Sequence, residues 1–162
     1  MKPRTFTATQ TIPVPREKVF AFFSDPRNLE AITPPWLQFR IVGRTTEDVR
    51  ENSEFTYRLK LHGIPLKWVS RISEWVPRER FVDEQIRGPY AMWHHAHTFE
   101  DVHGGTRIGD RVLYRLPLVP LGEWIAGRFV AADVRKIFEF RRRRIEELFS
   151  VDSIQCYTYS GF

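Results

Sequence analysis

The stretch EFTYRLKL, Glu54 to Leu61, alternates strictly, with Phe55, Tyr57, Leu59 and Leu61 on one side and Glu54, Thr56, Arg58 and Lys60 on the other. A period of two belongs to a β-strand with one oily and one charged face. His62-Gly63 follows as a two-residue turn, glycine supplying the positive φ that tight hairpins need. The chain then returns as a strand over Ile64 to Val76. Further strands read over Arg80 to Arg87, Met92 to Val102 and Thr106 to Leu116, the last two joined by His103-Gly104-Gly105. Successive hairpins make an antiparallel sheet.

Upstream, Thr5 to Ile12 reads as an opening strand bounded by Pro13. A short helix is expected from Pro15, a proline at the first helical position, with Val19, Phe20 and Phe23 as its apolar face. Asp25-Pro26 starts a second, Asp25 capping it and Pro34-Pro35 stopping it, and Trp36 to Arg44 reads as a strand. Downstream of Pro117 and Pro120, Ile125, Phe129, Val130, Val134, Ile137, Phe138, Ile145, Leu148 and Phe149 form one stripe along roughly seven helical turns. Only this helix is long enough to cover the oily face of the sheet. The expected fold is α+β, a curved antiparallel sheet wrapped around a long C-terminal helix, with one domain over 1–150 and a tail over 151–162.

The chain of 162 residues carries 13 Phe, 5 Trp and 5 Tyr, too many for a disordered polymer. Lys and Arg number 25 against 20 acids, a formal net charge of +5. The basic residues are dispersed, and their one dense block, Arg141 to Arg144, is followed by Glu146 and Glu147. It reads as a solvated helix face, and no nucleic-acid partner is expected. The single cysteine, Cys156, permits neither an internal disulfide nor a multi-cysteine zinc site. With no signal-peptide pattern and no run of about 18 apolar residues, the expectation is a cytoplasmic protein with at most transient membrane-surface contact.

The string Gly88-Pro89-Tyr90, then Trp93, His95, His97 and Phe99, then Gly105-Thr106-Arg107 and Asp110 to Tyr114, resembles the START-like, polyketide cyclase/dehydrase superfamily, also called SRPBCC. The resemblance covers about Thr5 to Phe149. It implies a helix-grip fold with a deep cavity between sheet and helix. Members bind lipids, sterols, polyketides or other apolar molecules, and some are cyclases, aromatases or dehydratases. Fold membership alone does not choose among these.

Strand register follows from the turns, because opposed residues share a face. His62-Gly63 sets Tyr57 against Trp68, Leu59 against Leu66 and Phe55 against Ser70. Pro77-Arg78 sets Ser70 against Gln85 and Ile72 against Asp83. A loop centred on Tyr90 sets Asp83 against His97, Gln85 against His95, Arg87 against Trp93 and Phe81 against Phe99. Gly104-Gly105 sets Phe99 against Asp110, His97 against Val112 and His95 against Tyr114. Tyr57, Trp68, Asp83, Gln85, Arg87, Trp93, His95, His97 and Tyr114 thereby line the concave face as expected ligand contacts.

Two functions fit this polar patch in an aromatic setting. One is binding or carriage of an apolar small molecule, a lipid, polyketide or aromatic compound. The other is a cyclase, aromatase or dehydratase with His97 as general base, oriented by Asp83 or Asp110, and Tyr114 or Arg87 stabilising an enolate. A cavity of about 300 Å³ or more would fit a small-molecule site. No cofactor is expected, and no metal, although His95 and His97 share a face and a two-His-one-carboxylate set is conceivable. No Gly-x-Ser-x-Gly elbow occurs around Ser70 or any other serine. Phe20, Phe23, Phe129 and Phe138 are assigned to the core, Trp36 and Trp124 to the cavity mouth, and Leu116 to Leu121 to a lid or membrane-touching loop.

Overall fold

In the computed structural model, which describes residues 2–117 and 123–150, the elements run β1 Arg4–Ile12, α1 Arg16–Ser24, α2 Arg27–Ala31, a 3₁₀ turn Pro35–Leu37, β2 Arg40–Arg44, β3 Glu54–Leu61, β4 Ile64–Val76, β5 Arg80–Arg87, β6 Met92–Val102, β7 Gly105–Arg115 and α3 Glu123–Leu148. The strands form one seven-stranded antiparallel sheet in the order β1-β7-β6-β5-β4-β3-β2. Its curved face holds the long helix, as the alternation and the final stripe require.

The helix is fastened along its length by polar contacts. Arg4 Nη1 donates to the Gly127 carbonyl at 3.0 Å, Gln10 Nε2 to the Arg142 carbonyl at 2.9 Å, and Arg144 Nε to the Ala31 carbonyl at 3.3 Å. His62, at the β3–β4 turn, meets Asp133 at 2.7 Å. One apolar cluster joins Ile12, Val19, Phe20 and Phe23 to Phe81, Phe99, Ile108 and Ile145; Val112, Tyr114, Val134 and Phe138 form a second. Phe20 packs its ring 5.0 Å from Trp75 and 5.3 Å from Phe99. Each such buried ring contributes roughly 1.5–3 kcal/mol of transfer free energy.

Several expectations need correction. Trp36 to Arg44 is not one strand. Pro35 opens a 3₁₀ turn through Leu37, and Gln38 takes a left-handed φ of 44° before β2 begins. Trp36 is half exposed, packed on Phe140 at 5.5 Å and under Lys136. Phe129 is 68% exposed and not core, because the buried stripe runs through Val130, Val134 and Phe138, and a helical residue one position away is turned by about 100°. Leu118 to Leu121, the side chain of Trp124 and the tail with Cys156 lie outside the described residues.

The registers of β3 with β4, and of Ser70 and Ile72 with Gln85 and Asp83, are as expected. Two others slip by two residues. Asp83 faces His95 and Phe81 faces His97; His97 faces Asp110, His95 faces Val112 and Trp93 faces Tyr114. The tight turn in the last hairpin is His103-Gly104, since Val102 pairs with Gly105. An even slip leaves every side chain on its face. The odd slips come from two irregularities in the β4–β5 ladder, and one of them sets Arg87 against Val69. Arg87 is consequently exposed, not directed into the concave side.

Candidate functional site

Between sheet and helix lies a cavity of about 230 Å³. Phe55, Tyr57, Leu59, Leu61, Leu66 and Trp68 line it from β3 and β4, Val134, Ile137 and Phe138 from α3, and Phe22 to Leu37 supply residues from the short helices. The wall is mostly apolar; Asp83, His95, His97 and Arg141 meet in one charged cluster, and Asp25, Asn28 and Thr33 from the short-helix region and Ser70 from β4 add further polar groups. β5 carries Asp83 and β6 carries His95 and His97, whose spacing of two puts both imidazoles on the concave face.

These side chains close a ring of contacts. His97 Nε2 is 2.9 Å from Asp83 Oδ2 and its Nδ1 is 3.2 Å from Asp110 Oδ1. His95 Nε2 is 2.8 Å from Asp110 Oδ1 and its Nδ1 is 3.4 Å from Asp83 Oδ2. Phe81 stacks on His97 with centroids 4.2 Å apart. Arg141 Nη2 stands 3.7 Å from Asp110 Oδ1 and 3.4 Å from His97 Nδ1, while its buried Nε has no hydrogen-bond partner among the described residues.

Burial opposes every charge here, and neighbours decide the outcome. Burial raises the Asp110 carboxyl, but the Arg141 charge and hydrogen bonds from His95 and His97 hold it well below its ordinary range. For Asp83, burial is outweighed by the His97 hydrogen bond and nearby cationic charge, so it too is lowered. Burial lowers His97, yet hydrogen bonds to Asp110 and Asp83 carry it above its usual value. His95 is lowered by burial and by the charge of His97, which outweigh its carboxylate contacts. The histidines and the guanidinium thus favour the ionised form of both carboxylates. The Arg141 guanidinium, which can only donate, faces the Asp110 carboxylate and the Nδ1 edge of His97 together. Burial pushes the Tyr57 phenol up, with the charge of Asp83 adding to it.

Of the sequence-selected residues, Tyr57, Trp68, Asp83, Trp93, His95 and His97 line the cavity. Three do not. Arg87 is exposed. Gln85 is spent on the β5–β6 loop, its Nε2 donating to the Tyr90 carbonyl at 2.7 Å and its Oε1 accepting the Tyr90 N–H at 3.2 Å. Tyr114 is buried behind the wall against Tyr90 and Trp93. Asp110 lies behind the histidines, in a smaller depression beside β1 and α3. Ser70 reaches the cavity and accepts a hydrogen bond from Trp68 Nε1 at 2.9 Å.

Arg141, expected on a solvated face, belongs instead to the site, its side chain only 11% exposed. The signal is its spacing from Val134, Phe138 and Ile145, which places it on the buried stripe. An arginine block hides one inward member because composition ignores helical phase.

No protein with a curated description matches the chain. Among solved structures, TTHA0849 from Thermus thermophilus superposes with a TM-score of 0.70 at 19% identity, covering 93% of this chain and 99% of that one. A START superfamily protein from Mycobacterium smegmatis gives 0.67 at 10% identity, covering 89% and 98%. A nucleoside-diphosphate sugar epimerase from Corynebacterium glutamicum gives 0.65 at 27% identity, covering 88% of this chain but 28% of that larger one. Residues 12–141 match the family described as polyketide cyclase / dehydrase and lipid transport. With that match spanning most of the chain and the helix-grip architecture around its cavity, the protein belongs to the polyketide cyclase/dehydrase and lipid transport family.

Proposed function

We propose that the protein binds and carries a small, largely apolar organic molecule whose polar end meets the Asp83–His95–His97–Arg141 wall. The observation that carries this reading is a largely apolar cavity in which four ionisable side chains, Asp83, His95, His97 and Arg141, meet in one cluster. Such a distribution orients a ligand, apolar surface supplying affinity and a few polar groups fixing direction. The family's description, which includes lipid transport, supports the same class of ligand. The cavity volume of about 230 Å³ falls short of the roughly 300 Å³ taken as the mark of a small-molecule site, which favours a ligand of about one or two rings or a short acyl chain. The reading keeps a cytoplasmic carrier without a nucleic-acid partner.

Carriage is preferred to acid–base catalysis by His97. Both ring nitrogens of His97 already face carboxylates, and its raised pKa favours holding a proton over abstracting one. Native mass spectrometry of the purified protein, followed by titration with short- and medium-chain fatty acids and with mono- and bicyclic phenols, tests the proposal. A 1:1 complex that the cavity-filling Ile137→Trp weakens is the expected result. Absence of any complex across the panel, or binding that Ile137→Trp leaves unchanged, would overturn it.

A further inference from the structure

We propose that Asp83, His95 and His97 form a mononuclear divalent-metal site whose open coordination positions face the cavity. The donor atoms of these three residues all lie within 4.8 Å of one another. Asp83 Oδ2 is 2.9 Å from His97 Nε2 and 3.4 Å from His95 Nδ1. A zinc-class ion bound at about 2.0–2.2 Å with tetrahedral angles holds neighbouring donors roughly 3.3 Å apart. The two Asp83 separations fall within about half an ångström of that spacing, and the two imidazole donors lie within 4.8 Å of each other.

The far edges of the rings point the same way independently. One oxygen, Asp110 Oδ1, lies 2.8 Å from His95 Nε2 and 3.2 Å from His97 Nδ1, and Arg141 stands 3.7 Å behind it. Histidines that bind metals characteristically pass their second nitrogen to a carboxylate, which fixes tautomer and ring orientation. Here a single carboxylate does so for both rings, turning the remaining nitrogens toward Asp83. Position separates the two acids as well. Asp83, His95 and His97 line the cavity, whereas Asp110 does not. An ion on Asp83 has three protein donors on one side and open space on the other, the arrangement of a two-His-one-carboxylate centre.

The open positions would take a carbonyl, carboxylate or phenolate oxygen of the bound molecule. That last step rests on the cavity being a ligand site; metal binding itself does not. The proposal also departs from the expectation, drawn from sequence alone, that no metal is held.

The test is made without organic ligand. Chelator-stripped protein is titrated with Co²⁺ and then Zn²⁺, reading Co²⁺ absorption, metal stoichiometry by elemental analysis, and paramagnetic shifts of the His95 and His97 ring protons. One ion per chain, with both rings shifted and Zn²⁺ displacing Co²⁺, is expected. Asp83→Asn, which keeps the side-chain volume, should lower affinity by about 100-fold, and Asp110→Asn by about 10–100-fold. A stoichiometric titration with no shift of either ring would overturn the proposal, as would equal affinity in folded Asp83→Asn. If that variant unfolds, the ring shifts in the unsubstituted protein decide. Titrating the fatty acids and phenols with and without Zn²⁺ separates the outcomes, since loss of metal binding with retained organic binding leaves the carrier reading intact.

Discussion

The imidazoles of His95 and His97 lie 3.8 Å apart, centroid to centroid, and their four nitrogens are divided between the same two carboxylates. Two side chains of one strand are held face-near in a buried site because each acid bridges both rings.

Removing the inner acid should be costly. Asp110→Ala leaves the Arg141 guanidinium and two imidazole edges without their carboxylate inside the protein. Loss of one partner from a buried ionic cluster costs about 3–5 kcal/mol. Urea unfolding measures it; a loss below about 1 kcal/mol would place the cluster among solvated pairs.

Gln85→Ala should loosen a loop and leave the cavity wall in place. Both of its amide atoms bond the Tyr90 backbone, and neither is needed to line the cavity. Two hydrogen bonds of ordinary strength contribute about 1–3 kcal/mol together. Hydrogen exchange should accelerate at the Tyr90 amide while the β6 and β7 amides stay protected.

Filling the cavity should separate binding from folding. Ile137, half-buried on the helix, points into the cavity without hydrogen-bonding duties of its side chain. Ile137→Trp should lower affinity for fatty acids or phenols at least about tenfold, with stability changed by no more than about 1–3 kcal/mol. Calorimetric titration paired with thermal unfolding reads both.

Gly105 is predicted to tolerate no side chain. Its φ is 152°, and a Cβ there would stand 2.0 Å from the Ile12 carbonyl oxygen, where β7 approaches β1. Gly105→Ala should destabilise by more than about 1 kcal/mol in urea unfolding, with Gly63→Ala, which meets nothing within 4 Å, costing less.

The fold was readable because alternation in β3 and the long stripe of α3 are strong periodic signals. The site was readable to the extent that faces, not exact registers, were needed. Misjudging the β5–β6 and β6–β7 turns moved every partner by two residues and left His95, His97 and Asp83 on the concave side. Arg87 was lost because ladder irregularities shift by one, and turn residues do not announce them. Gln85 faced the right way, yet a hydrogen bond to the loop at Tyr90 depends on where that loop folds back. Arg141 needed helical phase, which a block of four arginines conceals.

The contact between His62 and Asp133 ties the tip of the β3–β4 hairpin to the helix beside Leu61 and Val134, both cavity-lining residues. His62 is largely exposed, so this link at the rim is worth no more than an exposed ion pair, about 0–1 kcal/mol. A link that weak cannot by itself hold the hairpin tip against the helix, so the place of that tip is set by the sheet that carries it and not by the ion pair.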